Sequence, residues 1–384
     1  MNKVRLGIIG MGNIGKFHAD YLLQHQVARC ELVAVCSRSL ALSEKYQSLK
    51  TFTDAHVLLK SGAVDAVMIA TPHPQHAALG IAALQAGLHV LVEKPIAWHK
   101  AEAERLVAAH QQCPHLVFAA MLQMRVEPRY LKIQKLIRDG ELGRIVRVNW
   151  INTDWYRTEA YYASSDWRAT WKGEGGGVLL NQSLHNLDLL QWLCGMPKRL
   201  RGFCQFGRFH HIEVEDDVTA WLEWADGATG AFIGSSGEAP GANRFEIAGS
   251  RGTLLLENNR LVFRRNDADM IQFSRTAQAG FRKPEVWNEE IPFDDAPMPH
   301  AAITQNFVNA ILDGQPLIAP GQEGVNSVEL ANAMVFSSLA GQTLELPMSG
   351  AAWETKLHEL IAQSKTAKKT VAVAADDFAG SFRR

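Results

Sequence analysis

Apolar residues in the first third of the chain fall in short runs, and the segments between several of them carry helical periodicity. Val4, Leu6, Ile8 and Ile9 predict a first strand, and Glu31 to Cys36 a second. Val64 to Thr71 is apolar almost throughout, as expected of a parallel strand covered on both faces, and Pro72 ends it. Leu88 to Val92 and His115 to Ala120 follow as further strands. A helix resumes at Phe17, and another runs from Gln75 to Ala86 and is closed by Gly87. This alternation predicts an α/β protein that begins with a doubly wound parallel sheet.

The rhythm stops near Leu122, so the reading divides the chain into residues 1–122 and 123–384. Beyond that point Leu131 to Ile137 predicts a helix and Arg144 to Ile151 a strand. Val178 to Leu193 predicts a helix closed by Gly195, with Leu180, Leu184, Leu187 and Leu190 as its buried stripe. Six strands come next, at Arg201–Gly207, Val218–Trp224, Ala228–Ser235, Phe245–Ala248, Thr253–Leu256 and Leu261–Phe263, many joined by short turns. They build an open sheet. Gln305 to Leu312 and Val325 to Leu339 are late helices.

Composition narrows the class. A chain of 384 residues exceeds one compact core, and a formal charge of −1 argues against nucleic acid or an acidic membrane as partner. No window approaches the roughly eighteen apolar residues of a membrane span, and no leader precedes the first strand, so a cytoplasmic protein is expected. The five cysteines are odd in number and lack C-x-x-C spacing, which indicates neither a disulfide framework nor a metal site.

Candidate chemistry begins directly after the first strand. Gly10, Gly12 and Gly15, with Asn13 and Ile14 between the last two, form G-x-G-x-x-G between a strand and a helix. The first glycine turns the chain, the second admits a pyrophosphate to backbone amides, and the third lets helix and sheet approach. The second strand ends at Ser37-Arg38-Ser39 without the carboxylate that would bind adenosine ribose hydroxyls. Ser37 and Arg38 therefore favour NADP(H) over NAD(H), although an Arg38 stacked on adenine leaves NAD(H) in place.

Ligands of such sheets lie beyond the strands' carboxyl ends. That rule places Thr71, Pro72, His73 and His76, then Glu93 and Lys94 ahead of Pro95, at the cofactor crevice. His73 and His76 serve equally as cofactor contacts or as loop-closing residues. Lys94 is suited to orient a substrate hydroxyl and stabilise its alkoxide character during hydride transfer. Asn152 to Lys172 packs three tryptophans, three tyrosines and two arginines into twenty-one residues. Trp155, Tyr156, Arg157, Tyr161, Trp167 and Arg168 suit a loop that stacks on sugar rings, the alternative being a hydrophobic cluster beneath a long loop. Asn181, His185 and Asp188 fall at i, i+4 and i+7 of the glycine-led helix.

The turn G-M-G-N-I-G, the segment A-T-P-H-x-x-H at 70–76, A-G-L-H-V-L-V-E-K-P at 86–95 and G-G-G-V-L-L-N-Q-S-L-H-N-L-D at 175–188 together resemble the Gfo/Idh/MocA family. The resemblance runs in order to about residue 345. It implies a nucleotide-binding domain followed by an α/β domain with a large, mostly antiparallel open sheet. It also implies hydride transfer at a ring carbon of a sugar, cyclitol or glycoside, with His185 as general base beside Lys94. One departure stands out: Asn181 occupies the position of the family's usual aspartate, and Asp188 either replaces that charge in part or orients the helix from outside, which leaves proton transfer to His185 with Lys94 alone. Two other readings stay open, a lyase or glycosidase that recycles bound NAD and a nucleotide-binding sensor without turnover. A sheet covered on one side predicts a homodimer or homotetramer through its other face. The tail after Ser364 lies beyond the resemblance and is expected to be extended or bound to a neighbouring subunit.

Overall fold

The computed structural model describes residues 2–38, 44–294 and 298–365 together with Lys368, Thr370 and Val371. Ser39 and most of the tail after Ser364 lie outside the described residues. Strands β1 (Val4–Ile9), β2 (Cys30–Cys36), β3 (Lys50–Phe52), β4 (Ala66–Ile69), β5 (His89–Val92) and β6 (Phe118–Ala120) form one sheet, every pair parallel, in the order 3-2-1-4-5-6. Its strand order reverses at β1/β4, the point at which a sheet of this kind opens a crevice. Helices α1 (Asn13–Leu23), α2 (Ala55–Leu59), α3 (His76–Gln85) and α4 (Lys100–Gln111) cross between strands. The predicted helix at Phe17 begins earlier, at Asn13, because Gly15 is itself helical and packs on the Gly10 carbonyl. Lys50–Phe52 and the α4 segment carry no clear periodicity, and the reading passed over both.

Helix α5 (Pro128–Arg138) leads to β7 (Ile145–Asn152), the central strand of the second sheet. Beyond α6 (Glu159–Ala163) and α7 (Leu184–Cys194) come β8 (Arg199–Phe206), β9 (Glu215–Glu223), β10 (Thr229–Ser235), β11 (Asn243–Gly249), β12 (Gly252–Glu257), β13 (Arg260–Asn266), α8 (Met270–Thr276) and β14 (Val286–Ile291). Helices α9 (Pro299–Asp313) and α10 (Gly324–Ala340), strand β15 (Leu344–Glu345) and α11 (Gly350–Gln363) complete the described elements. The nine strands run in the order 14-13-12-11-7-10-9-8-15, and only β7 and β10 pair in parallel. Burial alternates along β9, with Val218, Ala220 and Leu222 buried and Thr219 and Trp221 exposed, so one face is core and the other is open. The edge of β8 is protected by α10, whose Ser337 and Ser338 hydroxyls accept from Gly202 and Cys204 amides.

The sheet that ends at Ala120 also takes partners from the far end of the chain. Ala120 donates to the Ala319 carbonyl, and Tyr21 on α1 shares a 2.8 Å hydrogen bond with Thr304 on α9. The predicted helix from Val178 differs from the structure. Residues 178–183 form irregular turns and α7 begins only at Leu184, because the Glu215 carboxylate draws in the Gly177 and Leu179 amides and its carbonyl takes that of Val178.

Candidate active site

One cleft of about 2180 Å³ runs between the two sheets. At its first end Gly10 has φ +101°, and a Cβ there would lie 2.6 Å from the Ala70 backbone. At Gly15 a Cβ would meet the Gly10 carbonyl oxygen at 1.9 Å, so Gly15 serves helix–sheet packing and does not line the cleft. At Gly12 a Cβ would meet nothing within 4 Å. Helix α1 starts there without a side-chain cap, which leaves its first amides and its positive dipole end facing open space. These features fit a dinucleotide pyrophosphate. Gly10, Gly12, Asn13 and Ile14 line this end with Ser37 and the exposed Arg38. Asp54 also lines it, but its carboxylate caps α2 by accepting from the His56 and Val57 amides.

Loops after β4 and β5 form the middle of the cleft. Thr71, Pro72, His73, His76, Glu93 and Lys94 all line it, as the strand-end rule placed them. His76 closes the two loops on each other, its ring nitrogens each 2.6 Å from a carbonyl oxygen, that of Pro95 and that of Thr71. Glu93 is buried against His18 at 2.6 Å, and His18 continues to Tyr21 at 2.8 Å. Burial works to raise the Glu93 pKa, and His18 holds it below the ordinary carboxylate value. Glu93 in turn accepts from the Lys94 amide at 3.0 Å. Lys94 reaches across to the second half of the chain, donating from Nζ to the Asn181 carbonyl at 3.0 Å. Burial lowers the Lys94 pKa against the pull of Glu93 and Glu174, and Arg157 and Arg168 lower it further.

His185 lines the same cleft as Lys94. Its Nε2 lies 3.2 Å from Gln123 Nε2, and its Nδ1 has no hydrogen-bond partner among the described residues. Burial, Lys94 and then His300 hold its pKa well below that of free imidazole, so it is neutral at neutral pH. Asn181 does not share a helical face with His185, because it sits in the irregular turn before α7. Asp188 turns away from the cleft altogether. It holds the fully buried Arg125 through two hydrogen bonds of 2.6 and 2.8 Å, and Arg125 also pairs with Glu323. The structure therefore corrects the expectation that Asp188 replaces the missing charge.

The aromatic segment is more ordered than expected, since α6 falls within it. Trp155, Tyr156, Arg157, Tyr161, Trp167 and Arg168 all line the cleft. Arg157 and Arg168 lie over the Tyr161 ring at 5.0 and 4.4 Å, and Arg168 Nη1 donates to the Tyr161 hydroxyl at 2.7 Å. Trp171 belongs to the hydrophobic cluster instead, buried against Phe206. The described part of the tail folds back here, with Lys368 Nζ donating to the Tyr162 carbonyl at 2.9 Å and Val371 to that of Ala163.

Gln123, Asn186, His300 and Asp154 are among the cleft residues that escaped the sequence reading. Asn186 follows His185 directly in H-N-L-D, the one signal that could have found it. Both of its amide atoms and Gln123 Oε1 are buried with no hydrogen-bond partner among the described residues. Among those residues no cluster of histidine, cysteine or carboxylate side chains could hold a metal, and no helix is long and apolar enough to cross a membrane.

The buried imidazoles make stability depend on pH. His300 is pushed down to about 3 by burial and then by His18, and His73 and His185 are also depressed. Folded-state values below the unfolded value of about 6.5 mean that protons bind the unfolded chain first. The stabilisation is complete above about pH 6.5 and is lost as pH falls toward the folded values, by up to about 1.4 kcal/mol per unit for each such histidine. Chemical denaturation should give a midpoint that falls as pH drops below about 6.5, offset in part by Glu215, whose pKa is raised to about 7 and which acts in the opposite sense. A flat profile through the acid range would mean that water reaches these rings.

Residues 4–120 match the model of the oxidoreductase family with an NAD-binding Rossmann fold, and residues 130–255 match that of the Gfo/Idh/MocA C-terminal domain. The chain belongs to the Gfo/Idh/MocA family. It is an NAD-binding oxidoreductase of that family, and its two sheets are the ones the resemblance implied. It is 28% identical over 255 residues to trans-1,2-dihydrobenzene-1,2-diol dehydrogenase of Bos taurus, spanning 65% of this chain and 72% of that enzyme. It is 27% identical over 198 residues to inositol 2-dehydrogenase of Corynebacterium glutamicum, a match of 50% of this chain and 54% of the relative, about half its length. The WlbA dehydrogenase of Bordetella pertussis, solved with NADH and UDP-GlcNAcA, is similar with a TM-score of 0.75 and 28% identity, over 90% of this chain and 100% of that one.

Proposed function

We propose that the protein is an NAD(P)-dependent dehydrogenase acting on a secondary hydroxyl of a sugar, glycoside or cyclitol. The observation that carries this reading is the convergence of Lys94, from the first sheet, and His185, from the second, on the cleft that also holds the glycine turn. The nicotinamide supplies or accepts the hydride. His185, neutral in the resting site, takes the hydroxyl proton, and Lys94 orients that oxygen and stabilises its developing negative charge. Gln123 can turn its amide to accept from Nε2–H, which leaves Nδ1 as the basic nitrogen. Asn181 positions the hydroxyl. The unpartnered amide of Asn186 needs both a donor and an acceptor, which a polyol hydroxyl provides together.

Residues 1–122 bind the cofactor in this reading, and residues 123–384 bind substrate and a second copy of the chain. The uncovered face of the larger sheet carries Phe203 and Trp221, each more than a third exposed, with Arg201 and Arg199 stacked over them at 4.7 and 5.9 Å. Such a face packs against its own copy in a homodimer or homotetramer. Phe203→Glu with Trp221→Glu should lower the mass measured by light scattering to that of one chain. An unchanged mass would remove the sheet from the contact. The five unpaired thiols suit a cytoplasmic location.

A turnover screen of cyclitols, sugars and glycosides with both cofactors tests the function. Net growth of the reduced nicotinamide absorbance is expected. Turnover without it would instead indicate the recycled-cofactor lyase or glycosidase. Arg38 favours NADP(H) through a 2′-phosphate, so Arg38→Ala should weaken NADP(H) binding about tenfold more than NAD(H). Equal losses for both cofactors would remove that preference.

A further inference from the structure

Glu174 sits immediately before the three glycines that lead to Asn181, and it is 1% exposed. Its Oε1 accepts from Asn181 Nδ2 at 2.6 Å, and its Oε2 accepts from the Ala169 amide at 2.5 Å. Burial raises the Glu174 pKa, against the pull of Arg168, the Ala169 amide and Asn181; the ionised carboxylate can only accept, and toward it the Asn181 amide presents its nitrogen. The same residue's carbonyl takes the Lys94 ammonium at 3.0 Å. Asn181 is thereby held from two sides, by Lys94 at its backbone and by Glu174 at its side chain. With one Nδ2 proton committed to Glu174, Oδ1 is the acceptor the amide retains for a ligand in the cleft that Asn181 lines.

We propose that Glu174 is a positioning residue that fixes the Asn181 amide in one orientation, so that Oδ1 accepts the hydrogen bond of the substrate hydroxyl next to the one held by Lys94 and His185. This rests on the dehydrogenase reading above. An unconstrained amide would present donor and acceptor to that neighbouring hydroxyl interchangeably. Glu174 removes that ambiguity and places a negative charge one layer behind the amide, where Lys94 also feels it.

The test exchanges the two groups. Glu174→Gln should lower kcat/KM about tenfold or more, because its own amide no longer dictates which end of Asn181 faces it. Asn181→Asp should set two carboxylates against each other and lower Tm by about 3–8 °C. The double variant Glu174→Gln/Asn181→Asp restores an amide–carboxylate pair in reverse, and both Tm and kcat/KM should return to within about fivefold and a few degrees of the parent. A Glu174 that only packs the loop would give additive losses in the double variant, and that result would overturn the proposal. So would a Glu174→Gln variant with unchanged kcat and KM. Should the parent oxidise no polyol with either nucleotide, the dehydrogenase reading fails, and recovery or non-recovery of Tm in the double variant still decides the pairing.

Discussion

His185→Ala should lower kcat/KM for polyol oxidation by roughly a hundred- to ten-thousandfold, the range contributed by a positioned general base. The ring is buried at the mouth of α7, faces the same cleft as Lys94 and is held neutral by burial, Lys94 and His300. Removing it leaves no group of suitable basicity at that position. Lys94→Ala should cost a similar factor, since the half-buried Lys94 lies between Glu93 and the Asn181 carbonyl and its ammonium is the cation proposed to meet that oxygen. The double variant should be little worse than either single one, because groups acting on one transition state lose their effect together. Binding of the reduced nucleotide, followed by fluorescence, should survive His185→Ala, because the glycine turn proposed to hold the pyrophosphate lies at the other end of the cleft. A His185→Ala enzyme that keeps the parent rate would end the assignment of this residue as base.

Arg125→Met should destabilise the fold by about 3–5 kcal/mol, the cost of leaving a buried charge without its partner. Arg125 is fully buried, forms two hydrogen bonds to Asp188 on α7, and reaches Glu323 and the Ile318 carbonyl before α10. After its loss Asp188 keeps only Gln191 Nε2, at 3.0 Å, among its side-chain partners. Asp188→Asn should likewise lower the urea midpoint, and it should leave the pH profile of turnover where it was, because Asp188 faces Arg125 and not the reacting groups. A change below about 1 kcal/mol in both variants would mean that water already solvates the pair.

The departure at position 181 has its physical counterpart in the fold. The charge expected there was sought in Asp188, seven residues on, by helical periodicity. That inference assumed one continuous helix, and Glu215 breaks it by taking the amides of Gly177 and Leu179. Burial raises the Glu215 pKa to about 7 even against those amides. The carboxylate that meets Asn181 is Glu174, upstream of the glycines, and no periodicity links the two.

What the chain order determined alone is local. Apolar runs of four to six residues set the parallel strands, glycine without a side chain made the phosphate turn possible, and strand-end residues were bound to face a crevice because parallel sheets place their carboxyl ends together. Those rules pointed to residues that line one cleft: the glycine turn, Lys94 and the aromatic segment. The tertiary fold decided which partners meet: Arg125 with Asp188, His18 with Glu93, Glu174 with Asn181, and the unpartnered Asn186 with the cleft. Hydrogen bonds and ion pairs of this kind act over a few ångströms between residues far apart in the chain, so their pairing follows from how the two sheets are placed and leaves no periodic trace in the residues themselves.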